Sequence, residues 1–148
     1  MAATDRTRDI AATPTQIWDL LADFGALSTW VDGVDHSCIL SGDPPAVGTT
    51  RRVQVGRNVL VERITESDPQ YVLGYDIDGL PKVFGKVGNR WSVGPTSGGR
   101  TLVTVTSTVE IGPRLDQQLA ERVACRVLAR QSDTTLAGLA DHLENANV

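Results

Sequence analysis

The chain of 148 residues holds only two cysteines, two histidines and a 5% share of aromatic residues. Cys38 and Cys125 are too few for a disulfide framework and read as two unrelated reduced thiols. His36 and His142 lie far apart, as do the cysteines, so there is no metal-ligand spacing, and neither a metal nor another cofactor is expected. No apolar run approaches the roughly 18 residues that a membrane span needs. Residues 1–8 are polar and lack the apolar stretch of a secretory signal, so a cytoplasmic location is expected. No Gly-x-Ser-x-Gly, phosphate loop or dinucleotide fingerprint is present, which argues against common hydrolase, NTPase and dehydrogenase chemistry. Asp23-Phe24-Gly25 repeats a kinase tripeptide, but there is no His-Arg-Asp loop and the chain is too short for a kinase. Basic residues are outnumbered by acidic ones, 14 to 18, for a net charge of −4 and a pI of about 5.0. That balance speaks against nucleic acid or an anionic membrane surface as the main partner. Lys82 and Lys86 are the only lysines. Every other basic residue is Arg, which with abundant Ala, Val and Asp suggests a GC-rich bacterial genome.

Hydrophobic residues make up 41% of the chain and charged residues 22%, the usual make-up of a globular domain. No repeat, low-complexity tract or linker interrupts it, so residues 1–148 read as one domain. The organising element is the stretch 113–144. Pro113 suits a first helical position, where its missing N–H has no partner to lose. Leu115, Leu119, Val123 and Val127 then recur every four residues. The pattern weakens over 131–135 and resumes with Leu136, Leu139 and Leu143. This predicts an amphipathic helix of about 48 Å whose apolar stripe is buried. Arg122, Arg126 and Arg130 make its solvated side, and Gly138 marks a close approach or a bend. Upstream, residues 4–10 read as a strand. Thr13-Pro14-Thr15-Gln16 is a helix start with a capping box, Gly25 ends that helix, and a second short helix covers 26–31. From Asp35 onward the period becomes two. Strands are expected at 35–41, 48–56, 58–66, 71–78, 86–94 and 101–111, with turn residues between them. Connections this short make the neighbours antiparallel.

Several local sequences fit this order. Gly48-Thr49-Thr50-Arg51-Arg52-Val53 is similar to the Gly-x-x-Arg-x-Val strand of plant abscisic-acid receptors and related branches. Glu62-Arg63-Ile64 with Asp68 looks like the next strand and turn, and Gly74-Tyr75-Asp76-Ile77 like the one after. Trp30 stands where a Trp often occurs in the second short helix. On these residues and their spacing the chain resembles the helix-grip superfamily: START lipid-binding domains, birch-pollen-allergen-like proteins and bacterial polyketide cyclase/dehydrase-type (SRPBCC) proteins. The resemblance implies an α+β fold, with a seven-stranded curved antiparallel sheet wrapped around a long C-terminal helix and a cavity between them. Two short helices follow the first strand. There are departures. Residues 31–42 contain no Lys to meet a ligand carboxylate, and Gly79-Leu80-Pro81 falls one hairpin later than the plant gate. The chain is also shorter than START-type lipid carriers, which favours a ligand smaller than a phospholipid.

Strand alternation says which side chains face that cavity. Arg51 and Val53 share a face, as do Leu60, Glu62 and Ile64, and as do Tyr71, Leu73, Tyr75 and Ile77. Arg51 and Glu62 thereby stand among apolar neighbours on adjacent strands. They are either an internal ion pair that fixes register or a catalytic pair, with Arg51 holding a carbonyl or enolate oxygen and Glu62 moving a proton. The resemblance to catalytic members of the plant branch implies the second role. Tyr75 adds a hydroxyl. Ligand contacts are expected from Trp30, His36, Val53, Leu60, Leu73 and Trp91, and from Val123, Val127 and Gln131 on the last helix; Trp18 and Trp30 also read as packing residues. The expected function is binding of a small hydrophobic molecule of polyketide, isoprenoid or acyl type. The alternatives are a cofactor-independent cyclase, dehydratase or isomerase using Arg51, Glu62 and Tyr75, and a protein-interaction module. Monomer and homodimer fit equally well.

Overall fold

A computed structural model describes residues 1–146. The chain runs β1 (Ala2–Ile10), α1 (Pro14–Ala22), a 3-10 helix (Phe24–Thr29), β2 (His36–Ser41), β3 (Thr50–Val55), β4 (Asn58–Asp68), β5 (Val72–Asp78), β6 (Lys86–Pro95), β7 (Thr101–Glu110) and α2 (Leu115–Ala146). One antiparallel sheet holds the strands in the order β1-β7-β6-β5-β4-β3-β2. Consecutive hairpins place β2 through β7 side by side. β1 pairs with β7 instead, so α1 and the 3-10 helix must carry the chain from one edge of the sheet to the other. This is the seven-stranded helix-grip arrangement that the sequence predicts.

Local chemistry accounts for the elements. Gln16 N–H donates to Thr13 Oγ1 at 3.2 Å and Thr13 N–H donates to Gln16 Oε1 at 2.9 Å, closing the expected capping box. Ile17, Trp18 and Leu21 turn inward from α1. The second short helix begins at Phe24 rather than Ala26 and is of the tighter 3-10 type. β4 continues to Asp68, beyond its expected end at 66, with a register shift between Ile64 and Glu66. Cys38 and Cys125 are free thiols.

The last helix departs from expectation in its orientation. It starts at Leu115, two residues after Pro113, and Pro113 O accepts from Gln118 Nε2 at 3.0 Å. The stripe that the periodicity marks for burial is exposed in its first half: Leu115, Leu119, Val123 and Val127 are 84%, 63%, 55% and 54% accessible. The inward side here is instead Glu121, Ala124, Cys125 and Ala129. Glu121 fixes this rotation, because its Oε2 accepts from the Ile111 N–H at 2.7 Å and its Oε1 lies 2.9 Å from the Met1 ammonium. The small side chains beside it let the helix backbone lie close to β1 and β7, the strands α2 packs on. Farther along, Leu136, Leu139 and Leu143 are buried as expected. A Cβ on Gly138 would stand 2.6 Å from the Trp30 carbonyl oxygen. This glycine therefore serves a close approach to the segment after the 3-10 helix.

Candidate functional site

Between the inner face of the sheet and the middle of α2 lies a cavity of about 310 Å³, at the lower end of the range for small-molecule sites. Val53, Leu60, Ile77, Trp91 and Val105 supply its sheet side, and Val127, Leu128, Gln131, Ser132 and Thr135 its helix side. Leu80, Pro81 and Phe84 close it from the β5–β6 connection. It meets solvent where its lining side chains are exposed, at Val55, Asn58, Pro81, Val127 and Gln131. The fold thus provides an internal cavity able to take a small hydrophobic molecule.

A polar band crosses this apolar lining. Tyr75, Asn89 and Ser107 stand directly opposite one another on β5, β6 and β7, so their side chains line up across the sheet. Ser107 Oγ donates to Asn89 Oδ1 at 2.7 Å and lies 3.4 Å from Ser132 Oγ on α2. Trp91 Nε1 donates to Tyr75 Oη at 3.2 Å, and Asn89 Nδ2 approaches the same oxygen at 3.4 Å. Indole and amide N–H groups only donate, so both contacts use the phenol oxygen as acceptor. Among the described residues, then, the Tyr75 hydroxyl proton has no acceptor. Burial, and next the charge of Glu62, push the Tyr75 pKa above the ordinary phenol value, against the pull of Arg51. The phenol stays neutral and keeps its proton to donate.

Arg51 and Glu62 are paired opposite each other on β3 and β4, and both are buried. Arg51 Nε and Nη2 lie 2.8 and 2.7 Å from Glu62 Oε1. Nη1 donates to the Phe24 carbonyl at 3.0 Å. The guanidinium is stacked 3.7 Å from the Phe24 ring centroid and 4.9 Å from that of Tyr75, stations that suit a desolvated arginine. Glu62 lines the cavity, whereas Arg51 lies behind the wall. Both Arg51 contacts end on Oε1, and Glu62 Oε2 receives no hydrogen bond from another described residue.

The structure therefore brings together Glu62, Tyr75, Val53, Leu60, Trp91, Val127 and Gln131 on one cavity. It does not bring four other expected contacts there. Trp30 packs edge-on against the outer side of Trp91, with centroids 6.2 Å apart at 78°. Leu73 is core beside these aromatics. His36 is exposed on the edge strand β2. Val123 faces outward, one turn too early on α2 to reach the cavity. Sequence reasoning left Ser107 and Ser132 out and gave Asn89 no role. A signal was available, since Ser107 is the small polar member of the inward series Val103, Val105, Ser107, Val109 on β7. Among the described residues no group of His, Cys, Asp or Glu is placed to hold a metal ion, and no helix is long and apolar enough to cross a membrane.

The comparisons with known proteins agree with this geometry. The Zhui aromatase/cyclase of Streptomyces sp. R1128 superposes with a TM-score of 0.81 at 19% identity, covering 99% of this chain and 96% of that one. A Thermobifida fusca protein gives 0.82 at 24% identity, over 98% and 95%. A START superfamily protein from Mycobacterium smegmatis gives 0.74 at 19%, over 97% and 98%. At these identities the likeness is one of fold. No curated protein matches the sequence. The family described as polyketide cyclase/dehydrase and lipid transport matches residues 1–144, and the chain belongs to that family, within the helix-grip superfamily.

Proposed function

We propose that the protein binds a small, mainly apolar molecule of polyketide, isoprenoid or acyl type that carries a carbonyl or similar oxygen. The observation that supports this reading is the Tyr75 hydroxyl, whose proton no described residue accepts, set in a lining whose larger side chains are mainly apolar. A ligand oxygen that accepts from this hydroxyl would take the place that solvent can fill in the open cavity. The apolar body would sit against Val53, Leu60, Trp91 and Val127. The name of the Streptomyces aromatase/cyclase is in keeping with an oxygenated, ring-forming ligand.

The test uses two matched probes, 2-acetylnaphthalene and 2-ethylnaphthalene. The ketone should bind the wild type tighter by about ten-fold, the worth of one good hydrogen bond to a buried donor. In Tyr75→Phe the two should bind alike, and the carbonyl stretch of the bound ketone should lose its downshift in the infrared. Failure of both probes to bind would sink the cavity reading.

A second reading, a cofactor-independent cyclase, dehydratase or isomerase, is favoured by Glu62 lining the same cavity as Tyr75 while both Arg51 contacts fall on its Oε1. In that chemistry Glu62 would take a proton from carbon next to the ligand carbonyl, and Tyr75 would hydrogen-bond the enolate oxygen that forms. Arg51 would act from behind by holding the carboxylate in place. Glu62→Gln abolishing turnover of a poly-β-ketone substrate while affinity survives would support it; loss of folding instead would mark the pair as structural. Arg51→Ala should destabilise by about 3–5 kcal/mol, since it leaves a buried carboxylate unpaired.

A further inference from the structure

The outward face of the first half of α2 carries large apolar groups that the folded chain leaves uncovered: Leu115, Leu119, Val123 and Val127. Arg122, Arg126 and Arg130 stand in the same turns and are exposed. None of the three has an ion-pair partner among the described residues. The short 3-10 turn Lys82–Phe84 packs against α2. It adds Val83, 73% exposed, together with Lys82, and Lys86 follows at the start of β6. The carboxylates nearby are largely spoken for. Asp116 is held by Arg114 at 3.2 Å and Glu121 is turned inward; the exposed Glu110 stands opposite Lys86 in the β6–β7 register and offsets that lysine, which leaves Lys82 and the three arginines. A chain with a net charge of −4 thus presents one face that is both apolar and cationic. That face reaches the cavity, because Val127 and Phe84 belong to both.

A cluster of exposed apolar side chains of this kind marks an interaction surface, and the charge around it requires an anionic partner. A second copy does not satisfy this: a two-fold pairing of the face would set Arg122, Arg126 and Arg130 against their own counterparts. A folded protein would need a groove shaped to a convex helix. A bilayer needs none, since an amphipathic helix beds its apolar side chains at the boundary of headgroups and acyl chains while its arginines meet lipid phosphates. We infer that the α2 face Leu115–Leu119–Val123–Val127, with Val83, is a docking surface for an anionic lipid bilayer. It sets the cavity opening on the membrane, where an apolar ligand can pass without crossing water. The net charge of the whole chain hides this surface because it averages over faces that never meet the partner.

Co-sedimentation of the full chain tests this with vesicles of phosphatidylcholine alone and of phosphatidylcholine mixed with phosphatidylserine. Binding is expected to the mixed vesicles only, and to fall steeply with added salt. Each basic side chain near an anionic surface is worth about a five-fold change in partition. Arg122→Gln with Arg126→Gln should therefore weaken binding about twenty-five-fold. Leu119→Ser with Val123→Ser should weaken it at least as much, with the urea midpoint unchanged because both side chains are already exposed. Leu40→Ser with Val47→Ser, exposed apolar groups elsewhere, should leave binding intact. Three results would overturn the inference: no binding to the mixed vesicles, equal loss in the Leu40/Val47 control, or a dimer in light scattering that Leu119→Ser/Val123→Ser dissociates while vesicle binding stays absent. The last would assign the face to a second copy, and an acidic protein partner would show as no vesicle binding at all.

Discussion

The two halves of α2 use their leucines and valines in opposite ways. In the first half the large apolar groups point to solvent and the inward side is alanine, cysteine and a buried glutamate; in the second half Leu136, Leu139 and Leu143 point into the core. One geometric fact connects them. Leu115, Leu119, Val123, Val127, Gln131, Thr135, Leu139 and Leu143 form a single series with a spacing of four. On a helix of 3.6 residues per turn each step of four advances about 40° around the axis. The series therefore winds from the outer face to the core. It passes over the cavity at Val127, Gln131 and Thr135, where it turns polar. The weak stretch in the pattern is the roof of the site.

The comparison can be broken at several points. The largest effect is expected from Leu139→Ala, which empties a fully buried position and should lower unfolding stability by about 2–5 kcal/mol in urea titrations. If it were as mild as Leu119→Ala, the inward assignment of the second half would be wrong. Next comes Gly138→Ala. Helix propensity alone would raise stability by about 1 kcal/mol, but the new Cβ meets the Trp30 carbonyl, so a net loss of about 1–3 kcal/mol is expected from overpacking. A gain would mean that α2 is not pressed against this segment.

Glu121→Gln tests what holds the first half in its rotation. The carboxyl of Glu121 is held below its ordinary value of 4.5, first by the Ile111 N–H and then by the Met1 ammonium. A depressed carboxyl stabilises the fold above its unfolded pKa, and that contribution is lost as pH falls through the folded value. The thermal midpoint of the wild type should therefore drop on acidification below about pH 4.5, and Glu121→Gln should show a flatter acid limb. Equal slopes would remove Glu121 as the anchor. The smallest effect belongs to Leu119→Ser, expected within about 0.5 kcal/mol of wild type because its side chain is already in water.

Much of the architecture was legible beforehand because each element carries its own signal. The capping box at Thr13 and Gln16, the change to period two after Asp35, and glycine or proline at the breaks suffice for seven strands, an early helix and a long late one. The Arg51–Glu62 pairing was legible too, since alternation put both side chains inward on neighbouring strands and hairpin register did the rest. The polar band was not. Its members come from four elements separated by up to 57 positions, Tyr75 to Ser132, and nothing local distinguishes Ser132 from the other polar residues of its helix. The contacts that lie outside the cavity have different causes. Leu73 and Val123 rest on face membership, which does not say how deep a side chain sits or where along the helix the cavity begins. Trp30 rests on the family resemblance and packs against Trp91 away from the cavity lining, and His36 stands exposed on an edge strand.

By itself the sequence determined the elements, their order, and which side chains share a face, since those follow from backbone periods and turn chemistry. Only the tertiary structure decided which way each face of α2 points. Periodicity defines a stripe relative to its own axis, whereas the rotation of the helix on the sheet depends on contacts with residues far away in the chain, the Ile111 N–H that Glu121 meets and the Trp30 carbonyl that Gly138 admits.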